Sequence, residues 1–73
     1  MKGVFRMTFK QILMVTYLDA TLKTVVENKG QWGWGASSYK DFSHILDAAY
    51  TQHLITFKQK ADYLYQAAIV SKI

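Results

Sequence analysis

The chain has no cysteine and no proline, and only four glycines in 73 residues. Without cysteine there is no disulfide, no thiolate nucleophile and no cysteine-held metal. With only His44 and His53, a histidine zinc cluster is out of reach too. No metal or cofactor is therefore expected, and the chain reads as cytoplasmic. Long apolar runs are also missing. Ile12 to Leu18 follows a basic start as a signal-peptide core would, but Asp19 closes it and no small-x-small cleavage site follows. Nowhere do about 20 apolar residues stand together, so a membrane is not an expected partner. Arginine is the last scarcity: Arg6 is the only one among nine Lys+Arg, and the lysines are scattered. That argues against a mitochondrial-type presequence and against a dedicated nucleic-acid binder, which carries an arginine-rich stripe.

What remains is enough for one core and no more. Seventy-three residues lie near the lower limit for a self-supporting fold, and 51% hydrophobic with 15% aromatic residues supplies its apolar material. A single domain over residues 1–73 is expected, with 1–7 as a flexible lead-in. The net charge is +4. No acid occurs from Met1 to Leu18, a stretch that holds Lys2, Arg6 and Lys10. That segment suits an acidic surface, protein or phosphate; its bland alternative is three solvated charges that keep a small domain soluble.

The glycines Gly30, Gly33 and Gly35 cluster in Lys29–Ser38 (KGQWGWGASS) and divide the chain into two arms. The first opens with Thr8-Phe9-Lys10-Gln11, a capping-box pattern that predicts a helix start. Its end is ambiguous. Thr21–Glu27 is rich in β-branched residues, and Asn28-Lys29-Gly30 is able to close a hairpin, which would pair residues 22–27 with 31–36 and make the domain α+β. The helical reading is preferred. The second arm starts at Ser38, an N-cap residue with Asp41 in the first turn, and meets no glycine or proline afterwards.

At 100° per residue, Phe42, Ile45, Leu46, Ala49, His53, Phe57, Tyr63, Leu64 and Ala67 form a buried stripe. Lys60 would fall in that stripe. A break near Leu54–Thr56 removes the conflict, and Thr56-Phe57-Lys58-Gln59 repeats the earlier capping box there. Beyond this tetrapeptide only Tyr17/Tyr65 and Ala20/Ala68 still match at the same offset, so the echo is read as two similar caps rather than a repeat. The expected fold is mainly α, about three helices joined by a Gly/Trp loop.

Candidates for chemistry are few. His44 stands three residues from both Asp41 and Asp47, a spacing that usually means a surface ion pair. His53 lies out of phase with it and is read as a core or partly buried histidine. Ser37 and Ser38 are better explained by capping than as nucleophiles. Gly30–Gly35 lacks the lysine-threonine ending of a phosphate loop and the spacing of a dinucleotide fingerprint. No enzyme is expected.

The aromatic loop is the most distinctive feature. Trp32, Trp34 and Tyr39 either anchor an interface or stack on bases, or they fold back to finish a small core. Leu54, Ile55, Tyr65 and Ile69 lie off the stripe, and either a bend returns them to the core or they form a patch for a partner or a second copy.

In size, lack of cysteine, basic lean and absence of an active-site constellation, the chain resembles in kind the small bacteriophage-encoded proteins that bind and reprogram host machinery. Those that act on bacterial RNA polymerase and transcription termination are among them. The resemblance implies a viral regulator in the host cytoplasm that docks on a large protein complex; it rests on no family-specific motif and transfers no residues. From the residues themselves, the expected binding set is Lys2, Arg6, Lys10, Trp32, Trp34 and Tyr39. The alternative function is a small basic nucleic-acid-binding protein, with lysines on phosphates and tryptophans on bases. A self-associating subunit is the third possibility.

Overall fold

A computed structural model describes residues 8–72, which form three helices: α1 (Phe9–Glu27), α2 (Tyr39–Thr51) and α3 (Phe57–Val70). The expectations for residues 1–7, including the binding roles of Lys2 and Arg6, lie outside the described residues.

Each helix begins where the sequence carries an N-cap. Thr8 Oγ1 accepts from the Gln11 amide (3.2 Å) while Gln11 Oε1 accepts from the Thr8 amide (2.7 Å). Thr56 and Gln59 repeat this reciprocal pair at 3.1 and 2.8 Å. Ser38 Oγ caps α2 through the Asp41 amide (3.1 Å), and Asp41 Oδ2 reaches back to the Ser37 amide (3.0 Å). Helix starts leave amide groups without intrahelical partners, and these side chains satisfy several of them.

The hairpin alternative over residues 22–36 is not what forms: residues 22–27 complete α1. Thr21 and Thr24 return their hydroxyls to the carbonyls of Tyr17 (2.8 Å) and Ala20 (2.9 Å), so their polar groups are satisfied inside the helix. Leu18, Thr21, Leu22 and Val25 put the apolar and threonine face of this segment into the core. Tertiary burial thus outweighs the modest helix penalty of β-branching. The end is a Schellman motif. The Gly30 amide donates to the Val25 carbonyl (2.8 Å) and the Lys29 amide to that of Val26 (3.1 Å), with Lys29 (φ 56°) and Gly30 (φ 89°) both left-handed.

α2 ends the same way. The Leu54 amide donates to the Ala49 carbonyl (2.9 Å) and the His53 amide to that of Tyr50 (3.0 Å), and His53 takes the left-handed position at φ 61°. His53 is consequently exposed, not a core residue as the helical stripe suggested, because α2 ends at Thr51, two residues before it. Phe57 is also displaced from the stripe. The break makes it the first residue of a new helix, 66% exposed, with its ring edge-on to Tyr50. The bend returns Ile55 to the core, leaves Leu54 half-buried against it, and leaves Tyr65 and Ile69 exposed. Lys60 comes to rest over the Tyr50 ring and pairs with Asp47 at 2.7 Å. That ammonium holds the Asp47 carboxyl below its ordinary value.

The helices run up, down and up. The Gln11 side chain at the start of α1 reaches the His53 carbonyl beyond α2 (3.3 Å), while the Trp32 Nε1 in the first loop reaches Ser71 Oγ beyond α3 (3.0 Å). α3 packs against both other helices. Phe42, Leu18, Leu46 and Val25 fill the centre, each contributing roughly 1.5–3 kcal/mol by burial. Between α1 and α3 the Tyr63 hydroxyl donates to Asp19 Oδ1 at 2.8 Å.

Burial, then the bond to Asp19 and the Asp19 charge, hold the Tyr63 phenol well above its ordinary value of 10.0. The unfolded chain therefore loses this proton first as pH rises. The stabilisation is complete below pH 10 and is lost above it, by about 1.4 kcal/mol per pH unit. Denaturation of the wild type and Tyr63→Phe is expected to differ by about 1.5–3 kcal/mol at pH 8, the worth of a hydrogen bond to a charged acceptor. That difference is expected to shrink between pH 10 and 11; a constant difference contradicts the assignment.

Candidate functional site

The loop from Asn28 to Ser38 is laid back along α1 rather than held away from it. Gly35 has φ 81°, and a Cβ there would run into Thr21 Oγ1 and come within 3.2 Å of its Cγ2. Only glycine meets both demands, the left-handed backbone and the close approach to the helix. The Tyr17 hydroxyl donates to the Gly35 carbonyl from the same helix, four residues before Thr21. The Gly33 amide donates to the Ala36 carbonyl (3.0 Å) and closes the turn that carries Trp34, while Ala36 is buried in the core.

This clamp gives the two tryptophans opposite placements. Trp32 turns inward: it is half-buried, its ring lies 5.5 Å from that of Phe42, and its Nε1 is bonded to Ser71. Trp34 turns outward: it is 52% exposed, with its ring 6.0 Å from that of Tyr17. Tyr39 is exposed at the first position of α2. Lys10 is exposed on the first turn of α1, so of the expected binding set Lys10 and Trp34 both stand along one helix, and Trp32 and Tyr39 stand apart from them.

The residues joining Lys10 to Trp34 were missed in the sequence. Phe9, Leu13 and Tyr17 follow at four-residue spacing along one ridge of α1, and Lys10 and Leu13 precede Tyr17 by seven and four residues on the same side. Phe9 is 74% and Leu13 52% exposed, Tyr17 is half-buried under Trp34, and Ile12 is exposed beside them. From Gln11 to Leu18 the helix carries no charge. The sequence signal was present: Ile12–Leu18 is apolar but for Thr16, more than one core face explains.

The other candidates fall elsewhere. Asp41 is engaged by the Ser37 amide and Asp47 by Lys60, so neither takes His44 as its nearest partner in the hydrogen-bond and ion-pair pattern. Among the described residues, no three His, Asp or Glu side chains gather as a metal site would require, and no helix is long and apolar enough to cross a membrane. A groove of about 240 Å³ lies where the two capping boxes meet, walled by Tyr50, Leu54 and Ile55 with Gln11 and Gln59 beside them. Comparison with protein families, curated proteins and solved structures finds no match to the chain.

The split between the tryptophans is directly measurable. Trp32→Ala removes a packed ring and a buried donor and is expected to cost about 3 kcal/mol. Trp34→Ala is expected to cost under about 1 kcal/mol, because that ring packs on one side only. Equal losses, or a larger one for Trp34, contradict the inward and outward placements.

Proposed function

We propose that the chain is a non-enzymatic protein-binding regulator that docks on a larger complex through the α1 ridge and Trp34. The observation that carries this reading is the ridge itself: Phe9, Leu13, Tyr17 and Trp34 give a continuous, half-open apolar and aromatic surface. Exposed aromatic and aliphatic groups gathered in one strip, with a cation at one end, have the make-up of an interface centre. Such a strip has a cost in solubility that a partner removes.

The mode of action is steric or allosteric. A chain of this size changes a larger machine by holding one of its states, to the extent that it binds that state better than the others. Bacterial RNA polymerase is the first complex to try, as the resemblance to small bacteriophage regulators implies.

Affinity capture from bacterial lysate, with nuclease treatment and purified RNA polymerase in parallel, tests the reading. A protein complex is expected to be retained after nuclease and lost at least ten-fold with Leu13→Asp or Trp34→Ala, both checked for folding by circular dichroism. A nucleic-acid partner would instead disappear with nuclease and weaken steeply with salt, since phosphate contacts release counterions. That outcome, or capture indifferent to both substitutions, overturns the reading.

A further inference from the structure

α1 carries large apolar residues outside its buried face as well as on it. Leu18, Leu22 and Val25 are buried, while Phe9, Ile12, Leu13 and Val26 are exposed. A helix apolar all round is ordinarily surrounded by neighbours. Here α3 covers one side through the Asp19–Tyr63 contact and the Trp loop covers another through Tyr17 and Thr21, and among the described residues no element covers the ridge from Phe9 to Ala20. At 1.5 Å per residue that ridge is about 16 Å long, three helical turns. Trp34 stands beside Tyr17 along one edge of it.

Charge decides what fits the ridge. Lys10 lies on it, Lys2 and Arg6 precede it in the sequence, and no acid occurs before Asp19. Asp19 is turned to Tyr63, and the only other acid of α1 is Glu27 in its last turn. A second copy packed here in parallel would set Lys10 against Lys10, and like charges oppose that pairing.

We infer that the ridge takes a fourth helix, an acidic amphipathic helix of about three turns belonging to the partner, which completes the packing around α1. This deepens the protein-binding reading and rests on it. The partner helix presents apolar residues at i, i+3/i+4 and i+7 to Leu13, Tyr17 and Trp34, as amphipathic helices do in apolar grooves, with carboxylates facing Lys10.

The test is selection of a displayed library of helical 18-residue peptides against the full chain, with no charge bias in the library. Enriched peptides are expected to carry the apolar spacing and a net negative charge. They are expected to bind at least ten-fold more weakly to Leu13→Asp and to Thr16→Arg, an exposed substitution that blocks the ridge without touching the core. Lys10→Glu is expected to reverse the preference, binding lysine-substituted versions of the same peptides better than the originals.

Enrichment of basic or non-helical peptides, or of none, overturns the inference. So does preferential binding to 7:3 phosphatidylcholine:phosphatidylglycerol vesicles, or a dimer in sedimentation that Leu13→Asp dissociates. If a complex is captured through Leu13 but no acidic helix is selected, the protein-binding reading stands and only this inference fails.

Discussion

The bond from the Tyr17 hydroxyl to the Gly35 carbonyl is the constraint on which the rest of the surface depends. It ties the middle of α1 to a loop that glycine alone allows to approach Thr21. With the loop fixed there, Ala36 enters the core and Ser38 is placed to start α2. Trp34 is left beside Tyr17, while Trp32 turns toward Phe42 and Ser71. One hydroxyl thus links helix, loop and exposed aromatic surface. The loop has few other holds on α1, so its net worth of about 1 kcal/mol decides an orientation more than a total stability.

Core and surface compete for the same residues in so short a chain. A domain near the lower size limit needs its large side chains inside. Yet Phe9, Leu13, Trp34 and Tyr65 are all at least half exposed. The closure of the core is carried instead by Trp32 as a lid and by the capping boxes at Thr8 and Thr56. Apolar surface left outside under these conditions has a reason in binding rather than in folding.

The caps were legible because they are local: Thr8, Ser38 and Thr56 each sit three residues before the group they engage, and each begins a helix where expected. The break at Leu54–Thr56 was legible for the same reason, through the misplaced Lys60. What the helical wheel misjudged lies at the ends of elements. His53 takes a left-handed backbone and Phe57 begins a new helix, and neither keeps the phase of the stripe it seemed to continue. The Trp pair showed as a feature but not as a division of labour, because the inward turn of Trp32 depends on Ser71, 39 residues away. The ridge carried a signal in the uncharged run Gln11–Leu18, but apolar residues on both the buried and the exposed side blur the period that would separate the two faces.

The most direct measurement is the environment of Trp34 in Tyr17→Phe, read from ring-to-ring nuclear Overhauser contacts and indole quenching at constant helix content. The account predicts that removing one hydroxyl leaves the three helices intact, breaks the contact between the residue 17 and Trp34 rings, and exposes Trp34 fully. A Trp34 that keeps its place against residue 17 without the hydroxyl would contradict the claim that this bond sets the surface.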